Sequence, residues 1–122
     1  MFKVYLGEDT PTQALFFEGV LSQGGALDIT IFGDGLELLL AVQESPPDLV
    51  VSDILLPSLD GMALAMLLKF HQTTRDIPIV LVSAMAEEHR TDLEHLKVDA
   101  FLPKPIDVPK FRDIVAQLLI TP

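Results

Sequence analysis

The chain has 122 residues, of which 49% are hydrophobic, and this length and composition fit one domain with a buried core. The 18 acidic residues outnumber the 8 basic ones, and the formal net charge of −10 argues against contact with nucleic-acid phosphates through this domain. No apolar run is long enough to span a bilayer, no export signal is visible at the start, and the absence of cysteine excludes disulfides and fits a cytoplasmic location.

Short apolar runs alternate five times with stretches of helical period, which is typical of βαβ units and a parallel sheet. The first strand is predicted at 2–6 and the first helix at 12–23, with Pro11 in its first turn. The residues of the predicted inward stripe of that helix are Leu15, Phe16, Gly19 and Val20. Gly24 and Gly25 end the helix.

The second strand is predicted at 29–32, and Asp34-Gly35 leads into a second helix that Pro46-Pro47 closes. The third strand, 49–53, is nearly continuously apolar and ends in a carboxylate. This pattern indicates a central strand that is buried on both faces and carries Asp53 at its carboxyl end.

The remaining elements follow the same alternation. A third helix is predicted at about 62–71, with its Ala, Leu and Met side chains facing the sheet, and a fourth strand at 79–82. A polar helix at about 87–96, a brief strand around 100–102 and a last helix at about 108–119 complete the chain.

Polar side chains fall at or just beyond the carboxyl ends of four of these strands. They are Glu8 and Asp9, Asp53, Ser83, and Lys104. Open α/β sheets bind ligands beyond this edge, so we expect these residues to converge. Three carboxylates at one point would repel one another unless a cation neutralised them, and Mg²⁺ is the hard divalent ion that prefers such oxygen ligands.

This constellation suits phosphoryl transfer to a carboxylate. With a metal ion and the Lys104 ammonium holding phosphoryl oxygens, Asp53 could attack phosphorus in line and form an aspartyl phosphate. Ser83 would then hydrogen-bond the new phosphoryl group and be drawn towards it, which would repack neighbouring elements.

Three segments together resemble the receiver domains of two-component response regulators, the CheY-like superfamily. Asp53–Gly61 is similar to the phosphoacceptor segment of that family, Phe101–Pro105 to its Lys-Pro segment, and Glu8-Asp9 to its acidic pair. The resemblance implies one α/β, doubly wound, flavodoxin-like domain over 1–122, with five helices and a five-stranded parallel sheet of order 2-1-3-4-5.

The resemblance also implies roles for individual residues. Asp53 would be the phosphoacceptor, Lys104 and Ser83 would assist it, and Mg²⁺ would be bound directly by Asp9, Asp53 and the Leu55 backbone carbonyl. Glu8 would reach the ion through water. Ser83 and Phe101 would act as the switch pair, and a cis peptide bond is expected before Pro105.

The partners that the resemblance implies are a histidine kinase or a histidine phosphotransfer protein upstream, and an output domain or separate protein downstream. A phosphorylation-dependent homodimer is a further expectation, and no membrane contact is expected. The protein is expected to be a switch and not an enzyme, beyond self-phosphorylation and slow autodephosphorylation. Many members carry Tyr where this chain has Phe101, so a signal that needs a phenolic hydroxyl is not available here.

Each of these site residues could also have a purely structural role that involves no phosphoryl chemistry. Glu8-Asp9 could initiate a helix with Asp9 or Thr10 as its cap, Ser83 could cap the following helix, Lys104-Pro105 could be an ordinary turn, and Phe101 could be core filler.

Three other functions stay open at this point. A metal-dependent phosphatase with an aspartyl nucleophile needs a carboxylate two residues after it, where this chain has Leu55. A flavodoxin-like nucleotide binder needs a Gly-rich phosphate loop, which is missing. A receiver-like interaction module that is not phosphorylated would keep the fold without binding Mg²⁺.

Overall fold

The computed structural model describes residues 1–120, and Thr121 and Pro122, the end of the expected domain, lie outside them. The five strands in this part of the chain are Phe2–Gly7 (β1), Leu27–Phe32 (β2), Leu49–Asp53 (β3), Ile79–Ser83 (β4) and Ala100–Pro103 (β5). They form one sheet of order β2-β1-β3-β4-β5, and every neighbouring pair is parallel. The α/β fold and the strand order expected from the sequence are confirmed.

The helices of the described chain are Pro11–Ser22 (α1), Gly35–Glu44 (α2), Gly61–Phe70 (α3), Arg90–Leu96 (α4) and Val108–Ile120 (α5). Helices α2, α3 and α4 cover one face of the sheet, and α1 and α5 cover the other. All residues of β3 and β4 are therefore buried, which explains why those strands are almost purely apolar.

The apolar stripe predicted for α1 is wrong at three of its four residues, and only Val20 is buried as predicted. Leu15 and Phe16 are 65% and 49% exposed, and Gly19 is also exposed. The residues that α1 buries are Ala14, Phe17, Val20 and Leu21. Phe17 decides this orientation, because its ring packs edge-on against Phe111 of α5 with 5.7 Å between the centroids. In a helix with apolar residues all round, periodicity alone could not choose between two stripes.

Two further details differ from the sequence prediction. Helix α4 begins at Arg90, because residues 84–89 form turns, and the ion pair between Glu87 and Arg90 joins that turn to the helix. Met66 of α3 is 53% exposed and does not face the sheet, whereas Leu64 and Leu68 do. The buried stripe of α3 is therefore narrower than its many apolar residues would suggest.

Two carboxylates hold the amino-terminal ends of strands, at the edge of the sheet opposite Asp53. Asp48 Oδ2 accepts a hydrogen bond from Lys3 N at 2.7 Å, and Asp99 Oδ2 accepts one from Ile79 N at 2.7 Å. Asp99 also pairs with Lys69 Nζ at 3.1 Å. Within residues 1–120, no helix is both long enough and apolar enough to cross a membrane.

Candidate functional site

The sheet register brings the polar residues to one edge. Gly7, the last residue of β1, is level with Ser52, while Asp53 is level with Val82 and Ser83 with Pro103. Residues that end or directly follow these strands therefore meet at the carboxyl edge of the sheet. Asp53 lies on the central strand, so its neighbours on either side are β1 and β4.

The three carboxylates predicted to converge do so. Glu8, Asp9 and Asp53 each offer one carboxylate oxygen, and these oxygens all lie within 4.8 Å of one another. Glu8 and Asp53 are buried, with 3% and 8% of their surface exposed, whereas Asp9 is exposed. Burial raises the cost of uncompensated negative charge, so this cluster requires cations around it.

Lys104 provides one of these positive charges. Its Nζ donates to Glu8 Oε1 and to Asp53 Oδ2, both at 2.9 Å, and its side chain is only 18% exposed. Burial alone would lower the pKa of Lys104, but the hydrogen bonds to Glu8 and Asp53 outweigh it and raise the pKa above its ordinary value. One ammonium balances the charge of only one of the three carboxylates, so a divalent cation could balance the other two.

A cavity of about 320 Å³ opens over the carboxylates. The residues that line it are Asp9, Thr10, Gln13, Asp53, Leu55, Ala84 and Lys104. Both oxygens of Asp53 have partners, since Oδ1 accepts from Leu55 N at 3.2 Å and Oδ2 accepts from Lys104. The Leu55 side chain is 59% exposed and offers no group for acid or base chemistry at this position.

The loop after Asp53 is held close to the third helix. Gly61 N donates to Ile54 O at 2.7 Å, and Asp60 caps α3 by accepting from Ala63 N at 2.8 Å. A Cβ at Gly61 would lie 2.4 Å from Asp53 O, so only glycine permits this approach. At the other side of the site the Lys104–Pro105 peptide bond is cis, as expected.

Ser83 lies at the end of β4 and is buried, but it does not line this cavity in the described chain, and Ala84 does. Its hydroxyl oxygen accepts a hydrogen bond from Met85 N at 2.9 Å, and its backbone oxygen accepts one from Lys104 N at 2.9 Å. This contact lies within the turn at 84–89, and the N-cap position of α4 is His89, so the alternative in which Ser83 caps the following helix is wrong. Phe101 is half-buried against the core on the α2, α3 and α4 side.

The sequence did not single out Gln13. Its Oε1 accepts a hydrogen bond from Lys104 Nζ at 2.5 Å, although the two residues are 91 positions apart. A glutamine one helical turn after Asp9 has no distinctive pattern, so the contact becomes visible only in three dimensions. The predicted alternative of a helix cap at Thr10 is realised only in part, since Thr10 occupies the N-cap position without a side-chain hydrogen bond.

Comparisons with known proteins all point to one family. Residues 4–116 match the family described as the response regulator receiver domain. The polar-differentiation response regulator DivK of Brucella ovis is 31% identical over 119 residues, which are 95% of this chain and 94% of DivK.

Solved structures show the same similarity. The signal receiver domain of a histidine kinase from Syntrophus aciditrophicus has a TM-score of 0.89 at 28% identity, covering 98% of this chain and 90% of that one. The receiver domain of sensor histidine kinase PA1611 from Pseudomonas aeruginosa has a TM-score of 0.87 at 22% identity, with 98% of each chain covered. That structure is described with a magnesium ion coordinated in its active-site cleft.

Proposed function

Because the chain belongs to the response regulator receiver domain family, we propose that it is a signalling switch controlled by phosphorylation of Asp53. The observation that carries the proposal is the pairing of Lys104 with Asp53 inside a cluster of three carboxylates. Receiver domains are generally signalling domains and not catalysts, and the apolar Leu55 beside the phosphoacceptor supports this role over that of a phosphatase.

The residues of the acidic cluster suit Mg²⁺. Asp9, Asp53 and the backbone carbonyl of Leu55 would hold the ion directly, and Glu8 would reach it through water. When bound, the ion supplies positive charge for phosphoryl oxygens that the carboxylates would otherwise repel. Hard oxygen donors without His or Cys favour Mg²⁺ over softer metals at this position.

The phosphoryl step follows from the arrangement around Asp53. A carboxylate oxygen of Asp53 forms the new bond to phosphorus, while the bond from phosphorus to the donor breaks and the donor leaves with its electron pair. Lys104 exchanges its contact with Asp53 for one with a phosphoryl oxygen, which balances the charge of the transferring group. The chain thus contributes mainly position and charge.

The conformational signal would begin at Ser83. Its hydroxyl would give up the contact with Met85 N and bond the phosphoryl group, and the movement would reach β5 through the Ser83–Lys104 backbone hydrogen bond. Phe101 is half-buried on β5, so its ring could change rotamer in response. Ser83 and Phe101 would together form the switch.

The proposed partners follow from this cycle. A histidine kinase or histidine phosphotransfer protein would supply the phosphoryl group, and an output domain or downstream protein would respond, with a phosphorylation-dependent homodimer as one form of response. The net charge of −10 fits a domain that makes no direct contact with nucleic acid. We propose that the protein is cytoplasmic and that residues 1–122 form one receiver domain.

Mass spectrometry tests the proposal. Incubation with Mg²⁺ and acetyl phosphate should add the mass of one phosphoryl group, and Asp53→Asn should abolish the addition. Asp60→Asn is the matched control, because Asp60 caps α3 outside the carboxylate cluster and should leave the addition intact. An unmodified wild-type protein, or modification that persists in Asp53→Asn, would contradict the proposal.

A further inference from the structure

The Lys104 ammonium has three N–H donors, and all three have acceptors in the structure. Two acceptors are the carboxylates of Glu8 and Asp53, at 2.9 Å each. The third acceptor is Oε1 of Gln13, at 2.5 Å. Gln13 lies on the first turn of α1. Among the described residues, Gln13 is therefore the one neutral acceptor of the Lys104 ammonium, and it lies outside the cluster of three carboxylates.

The two kinds of acceptor respond differently to events in the site. A cation that neutralises Glu8 and Asp53 weakens their attraction for the ammonium, and a phosphoryl group on Asp53 consumes one of its oxygens. The amide oxygen of Gln13 is neutral and takes part in neither event. Neither event changes the charge of Gln13, so we expect its hydrogen bond to Lys104 to persist throughout.

Lys104 also lines a second, mainly apolar cavity of about 430 Å³, whose other walls include Phe16, Phe17 and Ile106. Its Nζ is already 5.8 Å from the centroid of the Phe17 ring, within reach of a cation–π contact. Gln13 and Lys104 line both cavities, so Gln13 lies where it can restrain the ammonium on the acidic side.

We propose that Gln13 is a positioning residue that holds the Lys104 ammonium at the acidic site when the carboxylates no longer do. The kinetic consequence of this inference rests on the proposed phosphorylation of Asp53. The hydrogen bond itself can be tested without phosphorylation and without a metal ion.

The first experiment observes Lys104 directly in metal-free protein. In wild type, the lysine Nζ–H signals of a ¹⁵N spectrum should include one that exchanges slowly with water, and Lys104→Arg should remove it. Gln13→Met keeps the size of the side chain but lacks the acceptor, so the signal should exchange clearly faster, although Glu8 and Asp53 still accept from the ammonium. Gln13→Glu places a carboxylate oxygen at the same position and should keep the exchange slow.

Gln23 offers a matched control on the same helix. It is an exposed glutamine at the end of α1, and its Oε1 accepts a hydrogen bond from Arg112 Nη1 at 2.8 Å. Gln23→Met removes a contact of the same type that lies outside the carboxylate cluster and both cavities. It should leave the Lys104 signal unchanged.

The second experiment measures rates with acetyl phosphate and Mg²⁺. Gln13→Met should slow both formation and hydrolysis of the phosphoryl group by about threefold to tenfold, the range expected for one hydrogen bond. Gln13→Glu should recover most of the loss, and the Mg²⁺ dissociation constant of Gln13→Met should stay close to that of wild type, because no charge has changed.

Several results would overturn the inference. One is a Lys104 signal that exchanges as fast in wild type as the other lysine signals, and another is a slow signal whose exchange is unchanged in Gln13→Met. Unchanged phosphorylation rates in Gln13→Met despite faster exchange of the Lys104 signal would equally rule out a positioning role. If wild-type protein takes up no phosphoryl group, the proposed function fails, while the spectrum still decides whether Gln13 restrains Lys104.

Discussion

Lys104 Nζ lies 2.9 Å from Asp53 Oδ2, although 51 positions of the sequence separate the two residues. The contact exists because β3 and β5 both end at the carboxyl edge of one sheet, with β4 between them. Asp53 is presented by a fully buried strand, so its carboxylate is fixed in place, and Lys104 reaches it from the loop after β5. The site is therefore stable only when the sheet is assembled.

The first prediction concerns pH. The folded-state pKa of Lys104 is raised above the ordinary value of 10.5 by Glu8 and Asp53, in spite of burial. Its charge therefore adds stability that is fully present below pH 10.5 and is lost as the pH rises through the raised pKa. The difference in free energy of unfolding between wild type and Lys104→Met should be constant from neutral pH to 10.5 and shrink above it. Urea titrations across this range measure it, and a difference that grows with alkaline pH would contradict the assignment.

The second prediction concerns metal binding. Mg²⁺ should raise the thermal midpoint of unfolding of wild type, since a ligand at a hundred times its dissociation constant adds about 2.7 kcal/mol of stability. Asp9→Asn should reduce this gain, because it removes one of three clustered carboxylates. Asp28→Asn removes an exposed carboxylate on β2 and should respond to Mg²⁺ as wild type does. Equal increases in thermal midpoint for wild type, Asp9→Asn and Asp28→Asn would show that the ion binds elsewhere.

The third prediction compares two helix caps. Asp34 accepts a hydrogen bond from Glu37 N at 2.9 Å and another from Ser58 Oγ, and these two contacts lower the pKa of Asp34. Asp34→Ala should cost about 1 kcal/mol of unfolding free energy, as loss of a bonded cap typically does. Thr10→Ala should cost clearly less, since Thr10 forms no side-chain cap hydrogen bond. Denaturant unfolding at neutral pH measures both, and equal costs would refute the distinction.

The fourth prediction compares two glycines. Gly61→Ala would place a methyl group 2.4 Å from Asp53 O and 2.9 Å from the Ile54 Cα, and backbone must shift to admit it. We expect a loss of about 1–3 kcal/mol of unfolding free energy. If Asp53 is phosphorylated as proposed, phosphorylation should also be slower, because the loop after Asp53 moves. Gly19→Ala meets no atom within 4 Å and should stabilise α1 by about 0.5–1 kcal/mol. Equal effects of the two substitutions in urea unfolding would show that the close approach of Gly61 does not matter.

The carboxyl edge of the sheet was the most predictable part of the molecule. Buried parallel strands have a nearly continuous apolar pattern, so the end of β3 at Asp53 could be located from the sequence alone. Since parallel strands share one carboxyl edge, the meeting of Glu8, Asp9 and Lys104 around Asp53 followed. Their chemical roles remain predictions.

Other features depend on contacts between distant elements. The inward face of α1 is set by Phe17 against Phe111, which lies on another helix. Gln13 meets Lys104 across the site, and Ser83 takes its partner from the turn that follows it. Local periodicity contains no information about such partners, so three of the four residues predicted for the inward stripe of α1 are exposed and Gln13 has no signal in the sequence.

The two carboxylates at the opposite edge, Asp48 and Asp99, limit how the surface of this protein can be redesigned. They bond Lys3 N and Ile79 N, amides near the starts of β1 and β4, so they are structural parts of the sheet although they look like ordinary solvent-exposed acids. An engineer who wished to neutralise an acidic domain by exchanging exposed Asp for Lys should leave these two unchanged and alter acids without backbone partners.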